Sequence, residues 1–442
     1  MRTINKKEPV LLGFGDLLIL ALSLYITLVV RYQSVPSDEL IQSHAFSFAV
    51  IFIYSIIVFY ISGLYGRIIA ISRASIPGII VRAQIASGLV AVALFYFIPA
   101  FGVAPKINLF IYIALSTALL ILWRIGAYSI TSLRRKDMAL VVGSGSEVQE
   151  LVHEMSVNRH VGLYPIHVID PVQLSEQGST MFDTIPAFQY IVADMTSSHV
   201  QKILPELYRR YFPGVQIVDL HEFYEMVFSR IPLSCMNYAW IMSNISSITP
   251  QIYDAIKRAL DIILGAIVTC AMCVVYPFVA LAIKIEDGGR IFIAQDRMGK
   301  YQKPVKIYKF RSMQRNESGK WLSESDNKVT RVGMFIRKTR IDELPQGVAI
   351  MKGDISLIGP RTGLIELEKR LEQELPYYTV RTIIKPGLTG WAQINQEKPP
   401  QSIEENKVRL SYDLYYIKHR SLGLDLQITL RTIKTLLSRV GM

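Results

Sequence analysis

Four long apolar blocks open this chain, near residues 11–30, 45–65, 79–101 and 108–130. Each approaches the roughly 20 residues that a helix needs to cross a bilayer's hydrocarbon core. They predict a four-helix membrane region over residues 1–134. The first block is long, lacks a small-residue cleavage pattern and is followed at once by similar runs, so it reads as a retained anchor and not as a signal peptide. Arg2, Lys6 and Lys7 precede the first block, Arg67 and Arg73 separate the second and third, and Arg134, Arg135 and Lys136 follow the fourth. Positive residues favour the cytoplasmic side, so all three sets, and everything after residue 134, are expected there. The opposite loops carry Asp38, Glu39 and Lys106. Arg82 and Arg124, inside or near the ends of apolar blocks, are expected to snorkel to the interface.

The pattern then changes period. Ala139–Val142 is a short apolar run, followed by Gly143-Ser144-Gly145-Ser146 and the helix-forming Glu147–Leu151. Strand, glycine turn and helix in that order open a Rossmann-like α/β unit. Further strands are expected at Pro165–Ile169, Tyr190–Ala193 and Val215–Val218, with a helix at His199–Tyr211 between the last two. Asp170 falls where a ribose-binding acid would lie, but the third glycine of the dinucleotide fingerprint is missing. Cofactor binding and a plain scaffolding or sensing role both remain open for residues 135–245.

From Ile252 a helix entrance with Lys257, Arg258 and Asp261 leads into an apolar run, Ile262–Ile283, that contains Pro277. A full crossing would place the basic stretch Arg290, Arg297, Lys300, Lys303, Lys306, Lys309 and Arg311 outside, against the positive-inside preference. A re-entrant helix over about 257–285, broken at Pro277, resolves the conflict, since proline removes a backbone donor and clashes with the preceding turn. A fifth crossing with an outward domain is the rival.

Composition sharpens the picture. Hydrophobic residues make up 51% of the 442, which points to the bilayer and away from an ordinary soluble enzyme. The net charge of +12 suits anionic membrane and phosphate partners. No zinc-finger, helix-turn-helix or RNA-binding signature points to nucleic acid. Three cysteines, Cys235, Cys270 and Cys273, give no disulfide framework, and the Cys270–Cys273 spacing sits inside an apolar helix, where packing is the simpler role.

Candidate chemistry concentrates at Lys338-Thr339-Arg340-Ile341-Asp342-Glu343-Leu344-Pro345, with Gly353-Asp354 and Gly359-Pro360-Arg361 close behind. Adjacent carboxylates among arginines suit Mg²⁺ held against phosphates, because this hard cation takes oxygen ligands and lets substrate phosphates complete its shell. Neighbouring cations are expected to keep Asp342 ionised, and an ionised carboxylate is also a competent nucleophile toward phosphorus. The same residues also suit a plain helix start, where Asp and an early Pro are favoured.

In order, the C-terminal part carries Lys309-Phe310-Arg311-Ser312-Met313, Arg331-Val332-Gly333 leading to Arg337-Lys338, the Asp342-Glu343 block, Gly359-Pro360-Arg361, Lys385-Pro386-Gly387-Leu388-Thr389-Gly390-Trp391-Ala392-Gln393, and Tyr412-Asp413 with Ser421–Asp425. This series closely resembles the bacterial sugar transferase family, the polyprenyl-phosphate hexose-1-phosphate transferases. Four membrane helices and a Rossmann-like domain upstream resemble its long-form members. The resemblance implies a monotopic, mainly helical catalytic domain over 246–442, and so a membrane protein of α plus α/β class. It also implies transfer of a hexose-1-phosphate from a UDP-sugar to polyprenyl (undecaprenyl) phosphate with release of UMP, at the cytoplasmic face of a bacterial inner membrane, initiating exopolysaccharide, capsule or O-antigen synthesis. A homodimer is a further implication of the long form.

On that resemblance Asp342 is the nucleophile of a ping-pong reaction, and Glu343, with Asp342, positions Mg²⁺. Arg361 grips phosphate, with Lys309, Arg311 and Arg337 as further anion ligands. Asp413 and Asp425 match acidic positions of the family's C-terminal signature, suited to orienting arginines or a sugar hydroxyl, or to structural pairing. Trp391 reads as a packing or membrane-interface residue. Three positions depart from the family pattern: Thr362 in place of proline, Arg340 in place of serine, and Gln396 in place of glycine. The competing readings are a membrane-anchored nucleotide-binding sensor, which would not need Asp342, and a glycosyltransferase releasing UDP.

Overall fold

The computed structural model of the chain describes residues 8–62, 64–65, 76–97, 106–132, 137–158, 163–173, 185–211, 214–245, 251–313, 329–396 and 398–437. The basic residues used to orient the membrane helices, at 2, 6, 7, 67, 73 and 134–136, lie outside them. The chain divides into two units, Met1–Leu220 and His221–Met442.

The first unit begins with helices α1 (Glu8–Tyr32), α2 (Asp38–Ile61), α3 (Ile76–Phe97) and α4 (Lys106–Ser132). Leu11–Tyr32, Asp38–Tyr60 and Asn108–Ala127 are long and apolar enough to cross a membrane, whereas the third apolar segment, Ile76–Val92, is shorter. Leu20, Leu28, Phe48, Phe59, Ile80, Leu109, Tyr112 and Leu120 form the core among these helices. Gly15 admits the indole of Trp123, which any side chain there would strike.

Arg124 corrects the snorkelling expectation. Its side chain is buried, bonds both carboxylate oxygens of Asp16 through Nε and an Nη, and donates to the Leu64 carbonyl at 2.8 Å. Tyr65 adds its hydroxyl to Asp16 at 2.6 Å. A charge inside an apolar bundle is tolerated when paired and fully hydrogen-bonded, and Asp16 supplies that pairing. Arg82 stays exposed, its Nε on the Gly78 carbonyl.

The α/β part follows the expected order, with β1 (Asp137–Val142), α5 (Ser146–Val157), β2 (Leu163–Ile169), β3 (Tyr190–Ala193), α6 (Ser198–Tyr211) and β4 (Gln216–Asp219). The strands form one parallel sheet in the order β2-β1-β3-β4. Leu140, Val141 and Val142, with Ile191, Val192 and Ala193, are wholly buried, as continuous apolar runs in a parallel sheet should be. Asp170 closes a local turn, its carboxylate accepting the Val172 amide at 2.9 Å.

The second unit contains α7 (Leu220–Phe228) from His221 onward, α8 (Tyr238–Asn244), α9 (Gln251–Asp287), the antiparallel pair β5 (Phe292–Met298) and β6 (Pro304–Phe310), α10 (Arg331–Lys338) and α11 (Gln346–Lys352). Then come β7 (Ser356–Ile358), α12 (Ile365–Glu374), β8 (Gly387–Thr389), α13 (Trp391–Asn395), α14 (Ile403–His419) and α15 (Leu422–Leu437), with β7 and β8 parallel neighbours. Residues 221–245, grouped above with the α/β domain, belong to this unit. Trp391 Nε1 donates to the Ser229 carbonyl at 2.8 Å, the Ile231 amide to the Ser411 carbonyl at 3.0 Å, and Glu225 pairs with Lys418 and His419.

Pro277 does not end its helix, because α9 runs on to Asp287. Beyond the proline, Val279 and Ile283 pack with Phe310 and Ile336, and Tyr276 stacks on Phe292 at 5.6 Å. This packing offsets the lost backbone bond. The helix also organises the unit along its length. Arg258 caps the C-terminal carbonyls of Ile350 and Met351 at 2.8 and 2.6 Å, and Asp261 accepts from Ser356 Oγ and the Leu357 amide at 3.1 and 3.0 Å. Gly265 and Gly347 let α9 and α11 approach backbone to backbone. At the far end, Glu286 accepts the Arg331 and Val332 amides at 2.6 and 3.1 Å, satisfying the first free donors of α10. The opposite face, with Ile263, Ile267, Val274, Phe278, Leu281 and Ile285, is exposed.

Removing Asp16 alone tests the bundle pair. Asp16→Ala leaves Arg124 buried without its counter-ion and is expected to cost about 3–5 kcal/mol, whereas Asp16→Leu with Arg124→Leu recovers most of that loss. Thermal unfolding of the detergent-held protein compares the two, and equal losses would show that the pair does not anchor the bundle.

Candidate active site

The two carboxylates at the centre are presented by a tight turn. Helix α10 starts at Thr330, whose hydroxyl accepts the Gly333 amide at 2.8 Å. It ends at Thr339, and Arg340 then takes a left-handed conformation (φ 58°), uncommon for a residue with a side chain. The reversal turns the chain into the 3₁₀ turn Ile341–Glu343, from which Asp342 and Glu343 project before Pro345 starts α11. A helix start at Pro345 therefore stands, with the acids just ahead of it.

Glu343 is held by cations. Its Oε1 receives Arg361 Nη2 at 2.7 Å and Lys309 Nζ at 3.1 Å, and Arg340 reaches Oε2 at 3.9 Å. Burial pushes this carboxyl up, but Arg361, Lys309 and Arg340 together outweigh burial and hold it well below the ordinary carboxylate range. Lys309 is itself lowered by burial, partly offset by Glu343.

Asp342 is the opposite case. It is buried, no donor reaches its Oδ1, and no side-chain hydrogen bond to it occurs among the described residues. Burial raises its pKa and the adjacent Glu343 raises it further, while Lys309, Arg340 and Arg337 pull it down without cancelling the rise. The neighbouring cations were expected to favour its ionised form; their direct contacts go to Glu343 instead.

Arg361 reaches Glu343 because two strands carry it there. The Gly359 amide donates to the Thr389 carbonyl at 2.9 Å and the Gly387 amide to the Pro360 carbonyl at 2.9 Å. A side chain at Gly387 or Gly390 would strike the Gly359 backbone, so these glycines permit the crossing. Lys309 comes from β6, opposite Ile293 of β5.

The remaining expected residues separate. Arg337 is exposed on α10, close enough for its charge to act on Asp342. Arg311 donates Nε to the Met313 carbonyl at 3.0 Å and lays its guanidinium across Gly289. Asp425 accepts from Tyr416, Tyr253 and Lys257 at 2.8, 3.0 and 3.0 Å, tying α15 to α14 and α9. Asp413 is enclosed by Arg381, whose Nε and Nη2 reach it at 3.0 and 2.8 Å. Both acids make structural pairs. Trp391 is buried, stacked on Tyr415 and covered by Arg431.

Sequence reading missed the residues behind Arg361. Arg381, fully enclosed, donates to Glu368 at 2.8 and 3.1 Å, to the Tyr378 hydroxyl at 2.7 Å and to the Arg361 carbonyl at 2.8 Å. Gly363 leaves room for the Glu368 carboxylate, which a Cβ there would overlap. Thr362 donates its hydroxyl to the Met298 carbonyl at 2.6 Å, while Arg297 donates to the Thr362 carbonyl at 2.9 Å. Proline at 362 would supply no hydroxyl for the first of these bonds. Only the glycine after Arg361-Thr362 hinted at the arrangement.

Residues 252–439 match the family model described as bacterial sugar transferase. Over 203 residues, 45% of this chain, it is 38% identical to the UDP-N-acetylgalactosamine-undecaprenyl-phosphate N-acetylgalactosaminephosphotransferase of Aeromonas hydrophila, covering 48% of that protein. It is 36% identical to a UDP-glucose:undecaprenyl-phosphate glucose-1-phosphate transferase of Caulobacter vibrioides, over 42% of this chain and 71% of that one. It is 34% identical to the exopolysaccharide production protein PSS of Rhizobium leguminosarum, over 42% of this chain and 96% of that one. The chain belongs to the bacterial sugar transferase family. It spans about half the length of the Aeromonas relative. The matched region of this sugar transferase contains all of the ionic cluster described above and none of the first unit.

The buttress behind Arg361 has a measurable cost. Glu368→Ala leaves Arg381 short of a counter-ion and is expected to destabilise the protein by roughly 3 kcal/mol, with Glu368→Gln losing less. Denaturant titration of the C-terminal unit's unfolding reads the difference, and a loss near zero would show that Asp413 alone suffices for Arg381.

Proposed function

We propose that this chain transfers a hexose-1-phosphate from a UDP-sugar to polyprenyl phosphate, releasing UMP, as the initiating step of an exopolysaccharide, capsule or O-antigen. The observation that carries this reading is the division of labour between adjacent carboxylates. Glu343 is committed to Lys309 and Arg361, while Asp342 Oδ1 has no hydrogen-bond partner among the described residues. A carboxylate without hydrogen bonds in a cationic, half-enclosed setting is suited to nucleophilic attack. The names of the Aeromonas and Caulobacter relatives support the same donor and acceptor classes.

In this mechanism an Asp342 carboxylate oxygen attacks the sugar-bearing phosphorus. The bond to UMP breaks, and UMP departs with that electron pair. An oxygen of the lipid phosphate then attacks the same phosphorus, the aspartyl bond breaks, and the free carboxylate is restored. Lys309 and Arg361, beside Glu343, would take the phosphate oxygens as they gather charge, the Arg guanidinium offering them a planar fork. The donor set fits Mg²⁺ as that ion binds beside substrate phosphates, through one or two carboxylates, here Asp342 and Glu343. Bound there, it would offset charge on the departing nucleotide.

The catalytic unit is proposed to be monotopic, with α9 entering and leaving the cytoplasmic leaflet. A straight crossing would place Asp261 and Glu286 about 38 Å apart along the axis, more than the roughly 30 Å hydrocarbon core. Both instead hydrogen-bond to elements of one folded unit, and the face between them is apolar and exposed. The nucleotide donor and the membrane-held lipid then meet at headgroup level.

Nucleotide release from nanodisc-held protein given UDP-sugars, polyprenyl phosphate and Mg²⁺ tests the reaction. UMP is expected, reduced at least about 10³-fold by Asp342→Asn; UDP as product would exclude phosphosugar transfer.

The pH dependence has a defined sign. Burial and Glu343 raise Asp342, so kcat/KM is expected to fall as pH drops through a midpoint above the ordinary aspartate value of about 3.9. A pH–rate profile with its acid limb at or below that value would contradict the assignment.

A further inference from the structure

Arg409, on α14 one turn before Asp413, has no role in the chemistry above. Its Nε is buried with no acceptor in reach, and the side chain has no hydrogen bond or ion pair among the described residues. The carboxylates nearby are already taken. Asp413 and Glu368 are enclosed by Arg381, and Glu343 is held by Lys309 and Arg361. Burial lowers its pKa, the positive charges of Arg381 and Arg361 lower it further, and Asp413 offsets part of that fall. An arginine in this position carries desolvation and like-charge costs that the described residues compensate only in part. Such a site becomes favourable when a ligand brings the missing negative charge, and perturbed ionisable groups cluster where ligands bind.

We propose that Arg409 is a substrate-binding residue that takes a phosphate oxyanion, being the one of three neighbouring arginines, with Arg361 and Arg381, that makes no carboxylate hydrogen bond among the described residues. The inference rests on the phosphosugar-transfer reading. Arg381 is saturated and cannot turn to a ligand without abandoning Glu368 and Asp413. Arg361 divides its charge with Glu343. Arg409 is therefore the cation of the three that can give its full hydrogen-bonding fork to an incoming group. Two phosphates visit this site in that reaction, the nucleotide diphosphate of the donor and the monoester of the lipid acceptor, and both present the required oxygens.

The experiment uses the full chain in nanodiscs and compares wild type with Arg409→Gln and Arg409→Lys. UDP binding is measured by calorimetry, and KM for polyprenyl phosphate from UMP release. Arg409→Gln is expected to weaken one of the two at least tenfold, with Arg409→Lys recovering part. The affected arm identifies the source of the phosphate. The unfolding temperature of Arg409→Gln is expected to hold or rise, because a partly buried charge that Asp413 offsets only in part has been removed. A variant whose UDP affinity and lipid KM both stay within twofold of wild type overturns the proposal, as does one that loses thermal stability with both values unchanged. Wild-type UDP binding without UMP release would sink the transfer reading while leaving the arginine's role testable by calorimetry. A wild type that binds neither phosphate would sink both.

Discussion

The rest of the catalytic unit depends on one ionic knot, the capture of Glu343 by Lys309 and Arg361. Those two cations come from distant parts of the chain, one from a β-ribbon and one from a strand end fixed by a glycine crossing. Bringing them to a single carboxylate fixes the β-ribbon, the 3₁₀ turn and the Gly359-Pro360-Arg361 segment relative to each other. It also governs reactivity. With Glu343 taking the direct cation contacts, Asp342 is left desolvated and without a side-chain donor among the described residues, which raises the free energy of its anion. Two neighbours of the same chemical type thus acquire opposite electrostatic characters, one dominated by burial and its neighbour's charge and the other by paired cations.

Helix α9 makes a scaffold of a long apolar segment. Its inner face carries the polar contacts, Arg258 and Asp261 near one end and Glu286 at the other, and its outer face carries hydrocarbon. Those contacts fall on α11, β7 and α10, which are the elements flanking Asp342 and Glu343 on either side. The site's geometry is therefore inherited from α9, a helix long and apolar enough to cross a membrane. The Gly265–Gly347 approach shows how closely the two are joined, since small residues are what let helix backbones meet.

Much of this was legible in the chain. The four strands of the parallel sheet and the helix before the last of them fall within a few residues of their expected positions, because continuous β-branched runs between glycine turns have few alternatives. Asp342, Glu343, Lys309 and Arg361 were also readable, since charged residues beside glycine and proline turns seldom serve packing. What escaped were pairings between residues far apart in sequence. Arg124 looked like an interfacial residue because nothing local reveals that Asp16 faces it across the bundle. Glu368 lies in an ordinary charged helix turn and Arg381 among threonines and apolar residues, and only the fold shows that they share a buried contact. At Pro277 local strain was all the sequence displayed, whereas the chain stays helical to Asp287 beside the stacked rings of Tyr276, Phe292 and Phe310.

The fit of Glu368 against Gly363 reaches beyond this one molecule. Because the carboxylate occupies the volume where a Cβ would stand, the two positions cannot change independently. A lineage that placed alanine at 363 would first have to shorten or discard the acid at 368, and Arg381 would then need a counter-ion from another helix. Within the family these two sites should drift as a pair, so that an acid in the next helix constrains which loops can follow Arg361.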